Sequence, residues 1–139
     1  MCWVLYLAAD GVLPLRPFDP EAPAFNVAGL DEHDLPVRSR FGKRFVYRVG
    51  SQTLCGCGFD RDQANPDHPD ELPATVASLG ALREYLQEAV RTAGPLELYA
   101  CWDGDQTAEP DHHLRLTPAD FTPEMSWFPD RTFAQVEVG

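Results

Sequence analysis

The chain has 139 residues, of which 44% are hydrophobic and 11% aromatic, enough for one domain with its own core and too apolar for a disordered chain. Asp and Glu number 22 against 11 Lys and Arg, leaving a net charge of -11. That balance argues against nucleic acid and against anionic membrane surfaces, both of which reward positive charge.

Residues 2–8 (Cys-Trp-Val-Leu-Tyr-Leu-Ala) are β-prone and apolar on both faces, as expected of a central strand covered on two sides. The run is far shorter than the roughly 20 residues that span a bilayer and lacks the basic start of a secretory signal. The expected location is the cytoplasm. Pro14, Pro17, Pro20 and Pro23 then recur every third residue. That is the polyproline II period, which serves either as a ligand for an aromatic groove or as a strap packed on the domain itself. The interleaved Leu15, Phe18 and Phe25 favour the strap. Residues 30–36 are acidic and turn-like. Residues 43–50 alternate as a strand and run into the unusual Cys55-Gly56-Cys57-Gly58-Phe59. Pro66, Pro69 and Pro73 among acids make 61–75 a long loop, a kind of segment that is commonly functional or flexible.

Residues 78–93 carry Leu79, Leu82, Leu86, Ala89, Val90 and Ala93 at helical spacing, and Gly94-Pro95 ends the helix. Residues 96–102 alternate as a strand, 114–116 form a short one, and 132–138 close the chain as another. Thr117-Pro118-Ala119-Asp120 has the order of a helix start. The expected architecture is a single α+β domain, residues 1–139, with a four- to five-stranded mixed sheet and one principal amphipathic helix on one face. Strands 43–50 and 96–102, joined by the helix, would make a right-handed crossover if they are parallel neighbours.

The charge is unevenly placed. No acid occurs between Leu35 and Phe59, where Arg38, Arg40, Lys43, Arg44 and Arg48 stand, so the remainder carries -16. One reading is internal neutralisation of the acidic loops by a basic strand. The other is an anion pocket, or a docking patch for an acidic protein partner, that includes Arg48.

Four cysteines, Cys2, Cys55, Cys57 and Cys101, are the residues best suited to chemistry. Two thiols in a glycine-rich turn can face one centre, and with Cys2 and Cys101 they could complete a tetrahedral zinc site. The spacing is not that of a zinc knuckle, and buried free thiols are the plainer reading. A nucleophilic role needs a cationic or helix N-terminal setting. Cys57 instead precedes Asp60 and Asp62, and Cys2, which removal of Met1 would make an N-terminal nucleophile, is followed by a bulky Trp3. Asp103-Gly104-Asp105 starts like a calcium loop, but Ala108 and Leu114 occupy the positions of its required Gly and Glu. His112 and His113 are adjacent, so on an extended backbone they face opposite ways. No phosphate loop, dinucleotide fingerprint or serine elbow occurs.

The opening Met-Cys-x-x-Leu-Tyr, Leu13-Pro14-Leu15, the Tyr47 to Ser51 run into Cys55-Gly-Cys57-Gly-Phe59, and Tyr99-Ala100-Cys101-Trp102-Asp103-Gly104-Asp105 together resemble a family of small uncharacterised bacterial proteins. The resemblance covers nearly the whole chain and brings no activity or catalytic residue. It implies that the cysteine blocks belong to one site. The resulting expectation is a domain that binds a small molecule or partner near the Cys-Gly-Cys-Gly loop through Cys55, Cys57, Trp102, Asp103 and Arg48. The alternative is a thiol-dependent or metal-assisted enzyme using the clustered cysteines, with zinc as the candidate cofactor at Cys2, Cys55, Cys57 and Cys101.

Overall fold

The most apolar segment of the chain becomes the middle of the sheet. In the computed structural model, which describes residues 2–139, β1 (Trp3–Ala9) is buried along its whole length. It is flanked on one side by β3 (Phe45–Gly50) and on the other by β4 (Leu96–Trp102), both antiparallel to it. β2 (Asn26–Gly29) pairs antiparallel with β3 outside it, and β6 (Thr132–Val136) pairs antiparallel with β4. β5 (His112–Leu116) adds a parallel edge to β6, so the sheet is mixed. The order is β2-β3-β1-β4-β6-β5.

The sheet therefore has six strands among the described residues, not four or five. The additional strand is β2, only four residues long. Asn-Val-Ala-Gly has no clear alternation, and it forms because Asn26 to Gly29 find partners on β3 while Arg16 and Val27 exchange backbone hydrogen bonds at 2.9 Å. The proline-rich segment is thus tied to its own domain at Leu13 to Arg16 and again at the buried Phe25, while Leu15, expected to pack, is exposed. Leu13 is buried and its N–H donates to the Tyr47 hydroxyl at 2.8 Å, while the Tyr85 hydroxyl donates to the Pro14 carbonyl at 2.7 Å. β3 and β4 are parallel to each other, as the crossover expectation required, but β1 lies between them.

Helix α1 (Glu71–Ala93) begins seven residues before the expected 78. Pro73 sits in its first turn, where a missing N–H breaks no intrahelical bond, so proline there marks a helix start and not a loop. Gly94, at φ 77°, closes the helix by donating its N–H to the Val90 carbonyl at 3.0 Å. The stripe of Leu79, Leu82, Leu86 and Val90 packs on Leu5, Leu7, Leu98 and Val136 of the sheet. Burying each such leucine stabilises the fold by roughly 1.5–3 kcal/mol.

The second face of the sheet has a smaller core of Val4, Tyr6, Ala8, Val46, Tyr99 and Cys101. It is capped by Val37, fully buried on a short 3-10 helix (Leu35–Arg40), with Leu30, Phe41 and Phe133 around it. Another 3-10 turn (Pro118–Asp120) stands at the expected helix start, and the Asp120 carboxylate accepts the Thr117 backbone N–H at 2.8 Å. Three residues of the basic stretch face carboxylates of this chain: Arg40 on Glu109, Lys43 on Asp10 and Arg48 on Asp34. Among the described residues no helix is long and apolar enough to cross a membrane.

Candidate functional site: a three-thiol cluster at one end of the sheet

β1 starts and β3 ends at the same end of the sheet, with Leu5 opposite Val49. The chain leaving β3 folds into a tight loop that returns over the start of β1. Two glycines allow this. A Cβ on Gly50 would lie 2.1 Å from the Leu54 carbonyl oxygen, and one on Gly58 would lie 2.3 Å from Ser51 Oγ. Ser51 organises the loop: its N–H and hydroxyl both donate to the Cys55 carbonyl, at 2.9 and 2.7 Å. The N-terminal half of α1 clamps it from outside. Ser78 Oγ accepts the Gln52 N–H at 3.1 Å and donates to Gln52 Oε1 at 2.6 Å. Phe59, buried against Trp127 in a stacked contact at 5.4 Å, anchors the far end.

This loop delivers Cys55 and Cys57, on a 3-10 turn (Gly56–Phe59) and its leading residue, to the position of Cys2. The three sulfur atoms all lie within 4.8 Å of one another. Cys55 is buried, Cys57 half-buried and Cys2 exposed. The Trp3 backbone N–H donates to Cys57 Sγ at 3.2 Å, and the Thr53 hydroxyl is 3.3 Å from Cys55 Sγ. Burial works to raise the Cys55 thiol, but hydrogen bonds from Thr53, the Cys57 backbone and the neighbouring thiols outweigh it and bring it below a free thiol. Burial pushes Cys57 up to about 11, and Cys2 is raised by its hydrogen bond and charge interaction with Cys55. Cys57 also opens onto a groove of about 310 Å³ at the start of α1, whose walls include Gln52, Asp60, Ala64, Glu71 and Ala74.

Cys101 is not part of this cluster. Its thiol is buried in the second-face core beside Val4, Tyr6 and Tyr99, and burial pushes it up to about 12. The rest of its block does come to the same sheet end. Trp102 lies opposite Trp3, the two rings stacked at 4.4 Å, and the Asp103 N–H donates to the Cys2 carbonyl at 2.8 Å.

Asp103 and Arg48 belong to a polar network on the second face. The Tyr6 hydroxyl donates to Asp34 Oδ1 at 2.6 Å, and Arg48 stands 3.7 Å from the same carboxylate. Gln106 Nε2 donates to Asp103 Oδ1 at 2.6 Å and lies 3.2 Å from the Tyr6 oxygen, while His33 pairs with Asp103 at 2.7 Å. The five expected binding residues thus divide between two neighbouring groups. Sequence reasoning did not single out Thr53, Trp3, Asp34, Tyr6 or Gln106. The only local signal for Tyr6 was a hydroxyl on an otherwise apolar strand, which a buried tyrosine must satisfy. Compared with models of protein families, with curated proteins and with solved structures, the chain shows no match to any of the three.

Proposed function

We propose that the protein is a binding domain whose ligand is a soft metal ion held by Cys2, Cys55 and Cys57. The observation that supports this reading is the mutual approach of three sulfurs, within 4.8 Å, from segments more than fifty residues apart. Burial alone gives no reason for exposed Cys2 to join them. Thiolates are the preferred donors for soft and borderline ions, and hydrogen bonds from Thr53 and the Trp3 N–H are the outer partners that orient such ligands. Zinc, the expected candidate, would find three of its four expected sulfurs here. A site of this kind needs reduced thiols, which fits the cytoplasmic setting proposed for the chain.

Metal analysis of protein purified without chelator tests the reading. Stoichiometric metal that disappears in Cys57→Ser supports it, and protein that neither carries nor takes up any thiophilic metal sinks it. Thiol chemistry is the second reading, favoured by the lowered Cys55 thiol and the groove beside Cys57. It calls for a cysteine in the cluster that alkylates faster than a free thiol near neutral pH.

A further inference from the structure

We infer that the ion is monovalent copper in a three-coordinate, all-sulfur site, an assignment that rests on the metal-binding reading above. The argument is one of donor count and softness. Structural zinc is almost always held by four protein ligands, and iron–sulfur clusters take four thiolates. Here, among the described residues, Cys2, Cys55 and Cys57 converge without any His, Asp or Glu atom joining them at that spacing. Cys101, the remaining thiol, is committed to the core of the other sheet face. Zinc sites with three protein ligands do exist, but they are built largely on histidine and keep water in an open position. Three sulfurs with no His or carboxylate beside them among the described residues suit a soft ion that is content with three donors, and Cu(I) is the first-row ion of that character.

The spacing fits. An ion bonded at about 2.3 Å to three sulfurs in one plane sets them about 4 Å apart. The thiols are already within 4.8 Å, so they need close by less than about 1 Å, within reach of rotamer adjustment. The sulfurs also differ in how they are held. Cys55 and Cys57 sit on a loop pinned by Ser51, Gln52 and Ser78, whereas Cys2 is exposed at the start of β1. Two donors are fixed and the third faces solvent, where a competing thiolate could reach the ion and displace it by ligand exchange.

The test is anaerobic titration of the full chain with Cu(I) against a chromophoric Cu(I) chelator, with Zn(II) in parallel and X-ray absorption at the copper edge. The expected result is one bound Cu(I) with three sulfur neighbours and no oxygen or nitrogen, able to displace bound zinc completely. Cys2→Ser, an exposed position where folding is not at stake, leaves two sulfur neighbours and weakens binding by at least about tenfold, the loss that even an outer partner of a metal ligand causes. Cys101→Ser leaves the coordination unchanged. Zinc retained against equimolar Cu(I), a fourth protein donor, or a two-sulfur copper site indifferent to Cys2 overturns the copper assignment while leaving a metal site standing. Failure to bind either ion removes both.

Discussion

The Tyr6 hydroxyl donates at 2.6 Å to the carboxylate of Asp34, and both residues are almost wholly withdrawn from solvent. This bond ties the central strand to the loop that caps the second face of the sheet, and Arg48 and Gln106 complete its surroundings. Burial, with the Asp34 bond behind it, raises the Tyr6 phenol far above its ordinary value, so the hydroxyl stays a donor at any accessible pH. Tyr6→Phe keeps the ring and strands a buried carboxylate. The expected loss is about 1–3 kcal/mol, read from urea unfolding. A variant as stable as the parent would show that Arg48 alone satisfies Asp34.

Glycine substitutions separate the thiol loop from the helix. At Gly50 a methyl group runs into the Leu54 carbonyl and the Asn26 side chain, so Gly50→Ala should cost about 1–3 kcal/mol and disturb the convergence of Cys55 and Cys57 with Cys2. Gly80 lies within α1, where an added methyl meets nothing within 4 Å. Gly80→Ala should stabilise by up to about 1 kcal/mol. Opposite signs in paired thermal melts are expected, and equal effects would contradict the packing described here.

Thiol accessibility gives a third expectation. Iodoacetamide followed by peptide mass spectrometry should modify Cys2 first, since it is exposed. Cys101, fully buried and with its thiol pushed up to about 12, should react only when the domain unfolds. Labelling of Cys101 in step with Cys2 would mean that the second-face core opens freely.

The His33–Asp103 pair predicts a pH dependence. Its hydrogen bond to Asp103 holds His33 above its usual value, so the stability it contributes is complete below the unfolded value of about 6.5 and fades as pH rises through the raised folded value. Asp103 is lowered by the same bond and by Gln106, so its contribution is present above the unfolded value of about 3.9 and vanishes as pH falls through the lowered folded value. The window for the pair lies between those two folded values. In Asp103→Asn an NMR titration should return His33 towards its ordinary value. An unchanged His33 titration would assign the shift to another neighbour.

Local pattern was sufficient for much of this molecule. The apolar run at 2–8 reads as a buried strand because both its faces need covering, and the strand forms at Trp3–Ala9; the helical spacing of Leu79, Leu82 and Leu86 leaves only one way to bury them. The glycine-rich turn between two cysteines marked the loop that carries two thiols of the cluster. β2 was not legible, because four residues with no alternation pair only when β3 is already in place. Nor was the start of α1, where the prolines of 66–73 read as a loop until Pro73 is seen to occupy a first turn.

Which thiols meet was beyond any reading along the chain. Cys2 and Cys101 both stand at ends of neighbouring strands, and spacing treats them alike. The pairing of Trp3 with Trp102 places Cys101 within the strand, turned into the second-face core, while Cys2 precedes its strand and is free to meet the returning loop. Strand order and facing are set by how the whole chain buries its apolar surface on two sides of one sheet. Composition carries the net charge of -11 and the four thiols; the sheet decides that three of those thiols lie together and the fourth does not.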